Sequence, residues 1–295
     1  CGGKPALSFG IEGKFCVDIG THPGEARDIL TLQNGRFILG ATTENAVGQT
    51  VFGLFGFTYD GQPDPDFGIG GIARSGVLPD LNYKLNAIAR QPDDKILAAG
   101  GINMYDGDES QQGLALCRFT PDGDMDNSFG INGVTRLTYP GERLEFNAIA
   151  QQPDGSIVAA GSNMDKIIVA RFLSNGMIDS TFGFNGVKFL QYSAAGKTRC
   201  NAVAVLPGGK IMLGAWCWEY WLNNGAIAIR LLPDGSLDPG FHNAGMSFIH
   251  CNYQLNTSSM VVLPNGKILL AAAGLNDDSA PQSAVFRYKA DGAPD

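Results

Sequence analysis

The chain has 295 residues, 44% of them hydrophobic and 17% charged, with 40 glycines and a formal net charge of −8. That balance suits many short strands joined by tight turns around a sizeable core. It excludes the basic surface that nucleic acid or an anionic membrane selects, and no apolar run approaches the roughly 18 residues of a spanning helix.

In chain order, the first phrase to note is Ser8-Phe9-Gly10-Ile11-Glu12-Gly13. It returns at 66–71, 128–133 and 181–186 around Phe67, Phe129 and Phe182, and in worn form at 240–245 around Phe241. A second phrase precedes each later copy: Asp60-Gly61 to Asp64, Asp122-Gly123 to Asp126, Asn175-Gly176 to Asp179, and Asp234-Gly235 to Asp238. A third is a hairpin with a turn of Pro, Asp, Asn and Gly. It runs over 27–40, 86–100, 147–161, 201–214 and 258–274. A fixed period of about 60 residues marks a repeat architecture.

Each unit reads as four strands. Strand A is the run after Arg27, Asn86, Asn147, Asn201 or Ser258, and strand B ends in Gly, as in Lys95–Gly100. Strand C precedes the Asp-Gly phrase, as in Leu114–Phe119 and Ile167–Phe172, and strand D follows the Phe-Gly phrase, as in Gly133–Thr138. Four antiparallel strands per unit, repeated radially, is the propeller answer to exposed sheet edges. The expectation is a single all-β domain over 1–295, a five-bladed β-propeller of four-stranded antiparallel blades. Its units span about 19–78, 79–138, 139–191, 192–251, and 252–295 plus 7–18. The chain stops at Asp291-Gly292-Ala293-Pro294-Asp295, and Leu7-Ser8-Phe9 continues that phrase in phase. Residues 13–18 are therefore expected to close the ring as the outer strand of the C-terminal blade, beside 283–289.

With five copies over nearly the whole chain, the units resemble the delta-60 repeat, found mostly in bacterial secreted and surface proteins. The resemblance implies a propeller fold and export to the periplasm, cell surface or medium. It carries no catalytic residues.

Internal recurrence sorts scaffold from site. The Phe-Gly phrase recurs, and so does an Arg eight residues before the second Asp: Arg118, Arg171, Arg230 and Arg287. These read as scaffold, the Arg bonded to the Asp; Gly56 takes the Arg position in the first unit. A–B and C–D turns share one end of each blade and are uniform. B–C and D–A loops share the other end, called the top here, and vary. Functional residues gather on variable loops held by a rigid frame. One top loop holds all three tryptophans, Trp216, Trp218 and Trp221, with Tyr220 between; Tyr192 and Tyr253 lie in D–A loops, as do Tyr83 and Tyr139. Such a rim stacks on sugar rings or anchors a protein partner; the competing reading is that alternate aromatics of 216–221 cap the core between the fourth and fifth blades.

No catalytic constellation is visible. Asp28 is the only carboxylate in the inner-strand pattern, with Glu145 near its entrance, whereas a glycosidase needs two converging carboxylates. His22, His242 and His250 share no metal-ligand spacing, and the acidic runs 106–109 and 277–278 read as solvated loops. The expectation is a monomeric, non-catalytic binding or scaffold module for a glycan or protein at the top face, with no cofactor and no metal. The alternative is a carbohydrate-active enzyme, a glycoside hydrolase or lyase, with its site at the top of the axis.

Six cysteines are Cys1, Cys16, Cys117, Cys200, Cys217 and Cys251. Cys1-Gly2-Gly3 looks like the mature start of a bacterial lipoprotein, which would make a lipid on Cys1 the one membrane contact; a boundary cut elsewhere or a disulfide at Cys1 are the alternatives. Cys117 reads as a buried thiol in a C strand. A turn centred between Gly208 and Gly209 would set Cys200 opposite Cys217, within disulfide reach. Cys16 with Cys251 is the weaker second pair.

Overall fold

The computed structural model describes Phe9, Lys14, Cys16 and residues 25–76, 81–104, 113–139, 142–163, 165–192, 196–218, 224–251, 254–275 and 280–295. Two compact units divide the chain, Cys1–Arg143 and Leu144–Asp295.

The first unit holds two antiparallel four-stranded sheets, each in simple sequence order. Sheet 1 is β1 (Ala26–Thr31), β2 (Phe37–Glu44), β3 (Thr50–Phe57) and β4 (Ile72–Arg74). Sheet 2 is β5 (Leu81–Arg90), β6 (Ile96–Met104), β7 (Gly113–Phe119) and β8 (Val134–Thr138). The second unit holds three sheets. Sheet 3 is β9 (Glu145–Gln151), β10 (Ile157–Ser162), β11 (Ile167–Phe172) and β12 (Val187–Leu190). Sheet 4 is β13 (Lys197–Val205), β14 (Ile211–Trp218), β15 (Gly225–Leu231) and β16 (Met246–His250). Sheet 5 is β17 (Gln254–Val262), β18 (Ile268–Leu275) and β19 (Pro281–Tyr288), three strands among the described residues. The expected closing strand, 13–18, lies outside the described residues apart from Lys14 and Cys16. No helix is long and apolar enough to cross a membrane among the described residues.

In sheets 2, 3 and 4 the middle strands are buried on both faces, so they read as continuous apolar runs rather than alternating ones. Every residue of β7, Gly113–Phe119, is buried, Cys117 included, and burial pushes that thiol up.

The residues expected to begin the A strands do something more specific. Arg27, Asn86, Asn147, Asn201 and Ser258 each fall at a register shift and face no partner across the A–B ladder. Each is the extra residue of a β-bulge, and three of the strands begin well before it, at Leu81, Lys197 and Gln254. The bulge drives the A-strand backbone over strand B. A Cβ on Gly100 would lie 1.8 Å from the Lys84 carbonyl oxygen, and one on Gly161 would lie 1.8 Å from that of Glu145. Only glycine fits there, which accounts for the Gly that recurs in these B strands; β6 runs on past it to Met104 and β10 to Ser162. Within the second unit the bulges also link sheets. Asn147 Nδ2 donates to Cys200 O at 2.9 Å, and Asn201 Nδ2 donates to Thr257 O at 2.5 Å.

At the opposite end of sheets 2, 3, 4 and 5 the Arg–Asp pairing read from the spacing is present. Arg118, Arg171, Arg230 and Arg287 place Nε 2.6–2.8 Å from Oδ2 of Asp126, Asp179, Asp238 and Asp295. Three of these guanidiniums also lie over the recurring ring: Arg118 over Phe129 at 4.5 Å, Arg171 over Phe182 at 5.0 Å and Arg230 over Phe241 at 4.6 Å. Arg171 Nη1 donates to Pro233 O, and Arg230 Nη1 to Ala290 O, in the following sheet. The same rings press on the next Asp-Gly turn. A Cβ on Gly235 would meet the Phe182 ring at 2.9 Å, and one on Gly292 would meet Phe241 at 2.6 Å. Phe9 occupies this place for sheet 1: a Cβ on Gly61 would meet its ring at 2.7 Å. It also stacks on Phe37 at 5.9 Å.

The disulfide expectation is corrected by the register. Cys200 faces Ala215 and Cys217 faces Thr198, and the two sulfurs are not joined. The Pro207–Gly209 turn pairs Val205 with Ile211, so its centre is Gly208 and not the following bond. The bulge at Asn201 then moves the register once more. The two cysteines become diagonal neighbours, and diagonal Cα atoms about 7–8 Å apart are beyond bridging distance. Both pack in one core cluster, and burial pushes the Cys200 thiol up to about 12. Cys16 and Cys251 likewise form no bridge, and Cys1 lies outside the described residues.

Candidate functional site

The aromatic loop read as one feature divides in two. β14 runs on to Trp218, beyond the hairpin read over 201–214, so Trp216 and Trp218 are strand residues facing Arg199 and Lys197. Trp216 is buried, 6.2 Å from Phe286 ring to ring, in a cluster that joins Met212, Ala226 and Ala228 of sheet 4 to Leu270 and Tyr288 of sheet 5. It fills the core between these two sheets, and its place among the ligand-contact candidates is withdrawn. Trp218 packs against the same cluster and keeps part of its surface open. Tyr220, Trp221 and Tyr253 lie outside the described residues.

Tyr192 follows β12 and stacks on Phe248 of β16 with ring centroids 5.2 Å apart and planes 20° from parallel. Phe248 in turn meets the His250 ring edge-on at 6.4 Å. Phe248 carries no signal in the sequence, and His250 reads there only as a histidine without metal-ligand spacing; both sit in the D strand β16. They belong to the top end of sheet 4, where Gly225 faces His250 across the β15–β16 ladder. A Cβ on Gly225 would stand 2.2 Å from the Ile249 carbonyl oxygen and 2.6 Å from the Phe248 ring, so only glycine fits beside them. At the top of sheet 3, Lys166 Nζ stands 5.1 Å above the Phe189 ring, which is 40% exposed. Tyr83, by contrast, is buried against Phe52 and is core. The described top ends of sheets 3 and 4 thus present half-open aromatic faces, with Lys166 over one of them, on which a flat group can stack.

The inner-strand carboxylates are held differently. Asp28 accepts Ile29 N–H at Oδ1, 2.8 Å, and Ile88 N–H at Oδ2, 2.9 Å, tying sheet 1 to sheet 2. Burial raises its pKa above the usual carboxylate value, against the pull of those two amides. With both oxygens so engaged, Asp28 is a structural link. Glu145 is half-buried at the start of β9, facing Ser162. No group of three or more His, Cys, Asp and Glu side chains among the described residues is arranged to hold a metal. The acidic runs 106–109 and 277–278 lie outside the described residues.

Four stretches of the chain, 91–129, 152–182, 207–241 and 263–295, match the model of a family described as a domain of unknown function (DUF5122) beta-propeller. Each stretch runs from an A–B turn through the Asp-Gly phrase of one unit. The all-β fold of five antiparallel blades is therefore a propeller fold. Among solved structures, a glucose dehydrogenase is similar at a TM-score of 0.52 with 12% identity, over 88% of this chain and 82% of that one. A protein of unknown function from Dyadobacter fermentans DSM 18053 has a TM-score of 0.48 and 13% identity, over 90% of this chain and 79% of that one. A PL25 ulvan lyase, a polysaccharide lyase, has a TM-score of 0.48 and 9% identity, over 96% and 72%. At such identities the likeness concerns the fold alone. No curated protein matches the sequence.

Proposed function

We propose that this chain is an exported, non-catalytic binding module that takes a glycan or a protein on the face carrying the B–C and D–A loops. The observation that supports it is the half-open aromatic surface at the top of sheets 3 and 4: Tyr192 stacked on Phe248, with Trp218 fixed in β14. These rings are seated by strands and tight contacts, so little side-chain freedom is lost when a flat ligand stacks on them. Export rests on the delta-60 resemblance of the repeats. The test is a glycan array with the purified protein, followed by Tyr192→Ala and Trp218→Ala. Binding that falls about tenfold in both variants with unchanged melting supports the reading; full binding by both removes it.

The second reading is a carbohydrate-active enzyme with its site at the top of the axis. Glu145, half-buried at the mouth of β9, is the residue that favours it. Turnover of any polysaccharide in a panel, abolished by Glu145→Gln, would establish that reading and displace the first.

A further inference from the structure

The C–D turns carry a feature that the scaffold does not explain. In sheets 1, 2 and 3 the residue after Phe-Gly is apolar and almost fully exposed: Ile69 at 88%, Ile131 at 78% and Phe184 at 82%. Its backbone has a plain duty. Ile69 N donates to Ile72 O at 2.8 Å, Ile131 N to Val134 O at 2.9 Å and Phe184 N to Val187 O at 2.8 Å, closing two-residue hairpin turns. Asn132 and Gly133, with φ of 53° and 87°, supply the two positive φ values such a turn needs. Any strand-forming residue serves that duty, and threonine would do so with a solvated side chain. The apolar side chains themselves pack on little.

Charge separates the two units at this feature. Segments 58–71 and 120–133 of the first unit contain six aspartates and no lysine or arginine. Asp64 and Asp126 are buried against Arg36 and Arg118. That leaves Asp60 half-open and Asp66, Asp122 and Asp124 exposed. The two segments meet, since Gly68 N donates to Asp122 O at 2.6 Å. Tyr59, 80% exposed, lies in the same phrase. The corresponding segment of sheet 3, 173–186, exposes Phe184 and Met177 but contains one aspartate, Asp179, which Arg171 holds.

We propose that the C–D turns of the first unit form a docking surface for a cationic amphipathic segment of a partner protein. Ile69, Ile131 and Tyr59 would take its apolar residues, and Asp66, Asp122 and Asp124 its lysines or arginines. Like charge argues against the other occupants: a second copy would set these aspartates against their own kind, and anionic lipid or nucleic acid would be repelled. The site lies in the first unit, at the ends of its sheets away from their B–C and D–A loops, and does not depend on the proposed ligand face.

The probe is a fluorescein-labelled synthetic peptide of alternating lysine and leucine, followed by anisotropy, with an all-lysine peptide beside it. The Ile69→Thr/Ile131→Thr double variant should weaken binding about tenfold at fixed charge. Asp122→Asn/Asp124→Asn should weaken it similarly and flatten its salt dependence, while Phe184→Thr leaves it unchanged. If the isoleucine double variant does not fold, Ile131→Ser and the Asp→Asn pair decide the matter. The proposal fails if the first-unit variants bind within twofold of the parent, if Phe184→Thr has the same effect, or if the all-lysine peptide binds equally well. It fails too if sedimentation equilibrium shows self-association that Ile131→Ser abolishes, which would give the surface to a second copy.

Discussion

In sheet 2 the Arg118 guanidinium reaches Asp126 from strand β7, lies over Phe129 and is joined by Lys95, whose Nζ is 3.1 Å from the same carboxylate. In sheet 1 the matching position is Gly56, and the Phe67 ring takes the space: a Cβ there would stand 2.6 Å from Phe67 Cγ. The cation comes instead from the A–B turn. Arg36 Nε lies 2.6 Å from Asp64 Oδ2 as an ion pair off the hydrogen-bond line, and Arg36 Nη2 reaches Pro121 O at 3.4 Å in the next sheet. The A–B turn position that holds Arg36 holds Lys95, Lys210 and Lys267 in sheets 2, 4 and 5, each of which also reaches its sheet's aspartate, and Ser156 in sheet 3. Sheets 1, 3 and 4 each keep a buried carboxylate with a cation that also touches the following sheet; which strand supplies the cation is free to change.

The largest expected effect follows from redundancy. Arg36→Ala leaves Asp64 buried with no other cation on it among the described residues, and should cost about 3 kcal/mol in urea unfolding. Arg118→Ala leaves Lys95 on Asp126 and should cost about 2 kcal/mol, part of it lost ring contact. If Arg118→Ala proves the more damaging, the two routes are not equivalent. Gly56→Ala tests the same swap from the other side: its methyl collides with Phe67, and overpacking costs about 2 kcal/mol. A neutral result would mean the ring can move aside. Phe9→Ala should cost about 2 kcal/mol if the ring on Gly61 does for sheet 1 what Phe182 does at Gly235. Unchanged melting would assign Phe9 no structural part.

The smallest effect is a dependence on acid. Lys210 holds the Asp238 carboxyl down at about 2, aided by Gly240 N–H and Arg230 and opposed by burial. Burial works to raise Asp126, but Ser128, Lys95 and Arg118 outweigh it and keep that group below the usual range. A carboxylate whose folded pKa is depressed adds stability above its unfolded value and loses it as pH falls through the folded one. The window here lies between 3.8 and about 2. Melting followed by circular dichroism should fall through that window, and Asp238→Asn should flatten the fall; an equal slope in the variant would place the acid sensitivity elsewhere.

Spacing made much of this readable. An Arg eight residues before an Asp, repeated with a Phe three further on, survives as a pattern because one contact geometry is met in several sheets. The A-strand bulges escaped notice because a bulge adds a residue without changing residue type, and Asn147 or Asn201 looks like an ordinary strand start. The same blind spot undid the Cys200–Cys217 pairing. Gly208 and Gly209 both take positive φ, 78° and 77°, and nothing in Pro-Gly-Gly says whether the turn is centred on a residue or on a bond. Trp216 was misplaced since β14 outlasts the repeat phrase that announced it, and a strand residue alternates inward where a loop residue need not. Tyr192 was legible as a candidate; its stacking partner was not, because Phe248 lies more than fifty positions away in sequence.

The asparagine links between bulges bear on how such a chain could have grown. Asn147 offers a donor to sheet 4, and Asn201, at the same place in sheet 4, offers one to sheet 5. The accepting groups, Cys200 O and Thr257 O, belong to the main chain just before the next bulge, so any residue type can supply them. A duplicated unit therefore arrives carrying both halves of the joint: its own amide to give, and a backbone carbonyl at the right depth to receive. Gene duplication can lengthen or renew such an array without first inventing a new interface, and afterwards the loops are free to diverge while the joints stay in use.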